Sequence, residues 1–189
     1  MEWFDIVDEN GIPTGETVER TDAHAHDILH RTAHVWVVRR VNDHIEVLLQ
    51  KRSMNKDSFP GQYDTSSAGH IQAGDEPLVS ALRELHEELG IQAQPEELSY
   101  AGMFRIHYDM VFHRRPFKDN EVSFVYVFSQ PVDIEKLTLQ KEEVESVRWF
   151  ALDEVCEGVR NHDQTYCVPS GGLEVLKAYL SAHSESDQL

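Results

Sequence analysis

Leu78, Leu82, Leu85 and Leu89 recur at the three- and four-residue intervals of one helical stripe, while Glu84, Glu87 and Glu88 fall on a separate arc. The pattern predicts a helix that docks its leucines and presents its carboxylates. Shorter β-rich runs surround it. Trp3 to Val7 and Gly15 to Val18 flank a turn over Asp8 to Gly11, where Asn10-Gly11 is a turn dipeptide, and predict an N-terminal β-hairpin within residues 1–20. His34 to Val41 and Ile45 to Lys51 flank Asn42-Asp43 and predict a second hairpin. Tyr63 to Ser67 leads into the loop before the carboxylate helix, while Tyr100 to His107, Val122 to Phe128 and Val144 to Phe150 read as further strands, with a charged loop running from His107 through Asp119. Asp153 to Val159 predicts a short helix and Leu173 to His183 a terminal one. The last six residues, 184–189, are polar and expected to be disordered. With no internal repeat, the series predicts one mixed α/β (α+β) domain over 1–189.

The carboxylate helix is punctuated at both ends. Gly69 and Gly74 permit a tight loop before it, Asp75 is the expected N-cap with Pro77 in the first turn, and Gly90 supplies the left-handed stop. Glu84 stands i, i+3 from Glu87 and i, i+4 from Glu88, and each like-charge pair costs an isolated helix roughly 0.2 to 0.5 kcal/mol. A cation would offset that repulsion. Hard oxygen ligands in a tight group suit Mg²⁺, with Mn²⁺ as the alternative ion.

Charge narrows the partners. Against 17 Lys and Arg the chain carries 34 Asp and Glu, a formal charge of −17, which opposes binding to nucleic acid or to an anionic membrane. An anionic small-molecule substrate would need metal ions and a local basic rim. Cys156 and Cys167 form neither a disulfide framework nor a zinc spacing, so a reducing cytoplasm is the expected location. The N-terminus lacks the signature of an export signal, and no apolar run approaches membrane-spanning length. A monomer or homodimer fits a chain of this size equally well.

Gly69, Arg83, Glu84, Leu85, Glu87, Glu88, Gly90 and Ile91 stand at the spacing G-x5-E-x7-R-E-U-x-E-E-x-G-U, where U is a bulky aliphatic residue, so residues 69–91 resemble the Nudix box. The single departure is Asp75 in place of glutamate. The resemblance implies a mixed β-sheet sandwiched between α-helices. It also implies that Glu84, Glu87 and Glu88, with the backbone carbonyl of Gly69, hold divalent metal, and that Arg83 orients a box glutamate. Glu145 to Phe150, followed by Ala151-Leu152-Asp153-Glu154, is similar to the family's strand and short helix downstream of the box.

The segments DENGIPTG, LHRTAHVW, LLQKRSMNKDSFPGQYDTSSAGH and DNEVSFVYVF resemble isopentenyl diphosphate isomerase and the hydrolases nearest to it. The isomerase places its acid cysteine where this chain has Ala68, and a methyl group cannot donate a proton to an alkene. His30, His70, Asp119 and Glu121 stand where that pattern has a metal site of its own, which implies a second site here. Arg52 and Lys56 align with its diphosphate-binding positions. Trp36 and Phe104, inside β-rich runs, read as core, and Arg114-Arg115 as a solvated pair. The reading is a Mg²⁺-dependent hydrolase of nucleoside diphosphates, or of nucleoside diphosphates linked to another moiety. Either a box glutamate or Glu121 would accept the attacking water's proton. An isomerase and a non-catalytic nucleotide-binding module, the latter left open by Asp75, are the alternatives.

Overall fold

β3 (His30–Val41) is the strand on which the sheet is registered in this computed structural model, which describes residues 1–56, 58–112 and 115–183. Its second half turns at Asn42, a residue that tolerates its positive φ of 51°, and pairs antiparallel with β4 (His44–Arg52) in the register Val41↔His44 to Val38↔Val47. Its first half pairs antiparallel with β6 (Ser67–His70), so that His34 faces Ala68 and Thr32 faces His70. On its other edge β8 (Arg115–Phe128) runs parallel to it, from His30↔Glu121 to Val37↔Phe128. β5 (Tyr63–Asp64) and β9 (Val144–Ala151) flank β4, and β7 (Leu98–Phe112) pairs antiparallel with β8, completing a mixed seven-stranded sheet.

Alternation along β3 builds two cores. Ala33, Val35 and Val37 point to one face, where α2 (Pro77–Leu89) covers them with Ala81, Leu85 and Leu89. Trp36 and Val38 point to the other, covered by α3 (Leu152–Arg160) through Val155 and by α4 (Ser170–Ala182) through Leu173 and Leu176. Trp36 is fully buried and Phe104 packs against the same cluster, as their sequence context predicts. The mixed sheet between helices is therefore present. No helix among the described residues is long and apolar enough to cross a membrane.

Two expectations need adjustment, and one helix is unforeseen. The charged stretch from His107 to Asp119 is not a loop: β7 and β8 continue through it with Tyr108 opposite Asp119 and Asp109 opposite Lys118. Antiparallel ladders are held by backbone groups and cross-strand pairs, which tolerate charge on an exposed face. Asp75 is not the N-cap. The helix starts at Pro77 behind Glu76, whose side chain makes no capping bond, and the Asp75 carboxylate instead accepts from Arg83 at 2.7 Å. The N-terminal hairpin, β1 (Trp3–Val7) and β2 (Pro13–Glu19), exists as expected but leads into a short helix, α1 (Arg20–Ala25), that no apolar periodicity announces. Residues 184–189 and Arg114 lie outside the described residues.

α2 stops where glycine permits. Gly90 has φ 73° and its N–H donates to the His86 carbonyl at 2.8 Å, the single bond of an αL end, with the Ile91 N–H reaching the Leu85 carbonyl at 3.4 Å. Leu85, fully buried beneath β3, anchors this helix. Leu85→Ala should lower unfolding free energy by about 2 to 5 kcal/mol in a urea titration. A loss below 1 kcal/mol would mean that α2 is not held by its leucine face.

Candidate active site

The three α2 carboxylates enter one cleft of about 480 Å³, but with unequal exposure. Glu87 is exposed, Glu84 is half-buried and Glu88 is 5% exposed. The arc that the helical wheel assigns to solvent is thus partly roofed by β6. The Glu88 carboxylate accepts from Gln50 Nε2 at 3.0 Å and from the Ala68 N–H at 3.1 Å. Burial, above all, pushes its pKa up to about 8, with the Glu84 charge adding to the rise. Burial raises Glu84 as well, although Arg83 opposes the shift by donating to its Oε1 at 3.1 Å.

Gly69 sets how near the helix can come. A Cβ built there would lie 2.2 Å from the Glu84 carboxyl carbon, so any side chain would displace the glutamate. Arg83 ties loop to helix: besides Glu84 it reaches the His70 carbonyl at 3.0 Å and Asp75 at 2.7 Å. The shorter Asp75 therefore keeps an ion pair within the box loop.

A second group of ligand-type side chains lies across the cleft. His24, His30, His70 and Asp119 each bring one ligand atom within 4.8 Å of all the others. Glu121 joins them, with Oε1 at 3.8 Å from His30 Nε2 and 3.6 Å from His70 Nε2. Parallel pairing of β3 with β8 places His30 opposite Glu121, and α1 brings in His24. His24, one of eleven histidines, carries no spacing that marks it as a ligand, and the chain reversal at α1 is what delivers it. Phe4 of β1 stacks on both His30 and His70, with ring centroids 4.9 and 4.6 Å away. His30 Nε2, His70 Nε2 and Asp119 Oδ1 are buried and make no hydrogen bond. Burial lowers the proton affinity of both imidazoles and, with the Asp119 charge, raises that of Glu121 well above the carboxylate range. Such a set of nitrogen and oxygen donors fits a metal ion better than a proton network.

The basic residues lie on the remaining wall. Lys56 lines the cleft and pairs with Glu143. Arg52 lines it too, but its guanidinium is already engaged: Nε and Nη2 donate to the Ser58 carbonyl at 3.1 and 3.0 Å, and Nη1 donates to Asp64 at 3.1 Å. Cys167, distant in sequence, also reaches the cleft, whereas Cys156 does not line it. The Cys167 thiol donates to the Tyr63 carbonyl at 3.5 Å, and burial drives its pKa up. The cleft therefore collects Arg52, Lys56, Gly69, His70, Arg83, Glu84, Glu87, Glu88, Asp119 and Glu121, with His30 behind them. Gln50 and Asp64, which tie down Glu88 and Arg52, carry no signal in the sequence.

The NUDIX domain family model matches residues 29–168. Nudix hydrolase 3 of Arabidopsis thaliana is 39% identical over 167 residues, which cover 87% of this chain and 21% of that protein. The chain thus spans about a fifth of the plant relative. A Nudix hydrolase of Clostridium acetobutylicum is 37% identical over 160 residues, covering 85% of this chain and 75% of its own. An isopentenyl-diphosphate Delta-isomerase of Dinoroseobacter shibae is 27% identical over 172 residues, covering 89% and 86%. Among solved structures, a Deinococcus radiodurans protein superposes with a TM-score of 0.66 at 16% identity, over 94% of this chain and 99% of that one. The Ap4A hydrolase of C. elegans superposes at 0.55 and 20% identity, over 80% and 98%. Fold, box and relatives agree: the chain belongs to the Nudix family, on a branch that resembles isopentenyl diphosphate isomerase but lacks its acid cysteine.

Proposed function

We propose that the chain is a hydrolase that depends on Mg²⁺, or Mn²⁺ in its place, and cleaves the phosphoanhydride of a nucleoside diphosphate or of a nucleoside diphosphate linked to another moiety. The observation that carries the reading is the convergence of Glu84, Glu87 and Glu88 on one cleft that also holds Lys56. Glu88, sealed from solvent, is met there by the neutral N–H groups of Gln50 and Ala68. Carboxylates so placed fit a hard divalent ion, which would be held by all three and by the Gly69 carbonyl. His30, His70 and Asp119 fit a second ion through buried atoms that make no hydrogen bond, with Glu121 and His24 beside them. When bound, the metal supplies charge neutralisation at phosphate oxygens and a more acidic water.

The chain's own groups do the rest. Arg83 keeps Glu84 turned toward the cleft, and Glu121 or a box glutamate takes the proton of the attacking water. As the new O–P bond forms, the bridging O–P bond breaks, and the leaving phosphate's charge meets Lys56, freed from Glu143. Arg52 acts by holding Ser58 and Asp64 as well as by charge. With Ala68 at the thiol position and the Cys167 thiol donating to a backbone carbonyl, neither position offers an acid thiol to an alkene. The protein should exchange no solvent deuterium into isopentenyl diphosphate.

Glu87→Gln and Glu88→Gln should each lower kcat at least about 100-fold at saturating Mg²⁺ on a panel of nucleoside diphosphate conjugates, with circular dichroism unchanged. Wild-type rates in both would remove the metal assignment. Gly69→Ala, which forces Glu84 away, should behave like a carboxylate variant although no ligand side chain is changed. Lys56→Ala should raise KM more than it lowers kcat, because charge on the diphosphate is met in both ground and transition states. Arg52→Lys should be as damaging as Arg52→Ala, since an ammonium cannot reproduce the fork on Ser58 and Asp64. Lys177→Ala, on α4, is the near-neutral control; an unchanged KM in Lys56→Ala would leave substrate binding to other groups.

A further inference from the structure

β3 sends His30, Thr32, His34 and Trp36 to one face of the sheet. Three of these have evident employment. His30 belongs to the histidine and carboxylate cluster, Thr32 donates to Glu121 at 3.1 Å, and Trp36 is packed in the core. His34 has none of these roles. It is 5% exposed, lines the cleft, and meets Phe104 edge-on at 5.5 Å, while its Nδ1 is buried without a hydrogen-bond partner. Buried ring nitrogens in folded proteins are nearly always paired, and the exceptions need an explanation. A partner from outside the chain is the explanation that the cleft offers.

The surroundings state what that partner is. On β6 the residue opposite His34 is Ala68, and directly opposed side chains of an antiparallel pair stand about 5 Å apart. A methyl there takes little of the space beside the imidazole, whereas a longer side chain would fill it. Four residues beyond His30 along β3, at 3.3 Å per residue, the His34 backbone stands about 13 Å from that of His30. The His34 ring lines the same cleft as the α2 carboxylates, two residues further along β3 than Thr32, which faces His70. The charges that reach the ring are those of Asp64 and Asp119, so another anionic phosphate is disfavoured. A neutral imidazole offers one donor and one acceptor, and a hydroxyl group can satisfy either.

We propose that His34 is a specificity-determining residue: on the cleft floor opened by Ala68 it hydrogen-bonds a neutral hydroxyl of the moiety beyond the diphosphate, so that hydroxylated conjugates are selected over alkyl ones. The proposal rests on the hydrolase reading above and adds to it the class of group that the cleft reads. A site built to bond a hydroxyl rejects the analogue lacking it, because its own polar atom is then left unpaired.

The test is a set of nucleoside diphosphate sugars in which each sugar hydroxyl is replaced in turn by hydrogen. The ratio of kcat/KM between parent and deoxygenated substrate is measured for wild type, His34→Phe, His34→Gln and Ala68→Val. For one hydroxyl the wild-type ratio should be about 10 to 100, falling toward 1 in His34→Phe and in Ala68→Val, which fills the space beside the ring without altering it, and partly retained in His34→Gln. Ratios that are equal in wild type and both of the first two variants would overturn the role of His34 while leaving the hydrolase standing. If wild type cleaves none of the set, the hydrolase reading of this substrate class falls instead. Calorimetric binding of the methylene-bridged counterparts then decides His34 separately. A wild-type preference for a hydroxylated form that the variants lose supports it, and no such preference overturns it.

Discussion

The placement of one carboxylate, that of Glu88, is the constraint on which the rest of the structure turns. Side chains of this kind are seldom buried unless something compensates. Here the compensation is neutral and incomplete: one amide from Gln50 on β4, one backbone N–H from Ala68 on β6. Both donors are fixed by the sheet, and α2 is fixed against the sheet by Leu85 and Leu89. Moving the helix away would expose leucines, while bringing it closer is limited by the contact of Glu84 with Gly69. The box residues thus form a mechanical unit in which apolar docking forces acidic groups into a space that favours cations. Burial, with the Glu84 charge adding to it, holds Glu88 near a pKa of about 8, so without a cation much of its charge is suppressed at neutral pH. A divalent ion would reverse that preference by pairing with the charged form.

The N-terminal hairpin belongs to the same unit. Asp5 accepts from Arg31 at 2.8 Å and from the Gly74 N–H at 3.0 Å, and the Ala73 N–H donates to the Trp3 carbonyl at 2.8 Å, which ties β1 to the loop before α2. Phe4 lies against both His30 and His70. By fixing the planes of two imidazoles, the hairpin decides where their Nε2 atoms point. A segment that reads in sequence as a peripheral ribbon is therefore part of the wall that orders the second ligand cluster. Disturbing Phe4 would be felt at the site before it was felt in the two main cores.

What the sequence made legible is what local spacing encodes. The leucine stripe, the glutamates between its members, the stop at Gly90 and the hairpin over Asn42-Asp43 all follow from periodicity and turn chemistry, and each is present. The Nudix resemblance added the sheet between helices and the grouping of Arg83 with Glu84. Features that depend on distant pairing were not legible. Burial of Glu88 needs β6 above it, the engagement of Arg52 needs Ser58 and Asp64, and the entry of His24 needs α1 to fold back onto β8. The charged residues between His107 and Asp119 look like a loop because strand propensity there is overridden by the β7–β8 ladder. His34 was one histidine among eleven until its strand, its buried nitrogen and its alanine partner were seen together.

The central proposal is of two cation sites in one cleft, one at the carboxylates of α2 and one at the histidine cluster. Calorimetric titration of the chelator-treated protein with Mn²⁺, repeated on Glu87→Gln and on His70→Ala, tests it most directly. The account predicts two classes of site in the wild type. Glu87→Gln should weaken one class and His70→Ala the other, each variant leaving the remaining class within a few-fold of its wild-type affinity. No Mn²⁺ binding to the wild type, or binding that neither substitution alters, would contradict the account.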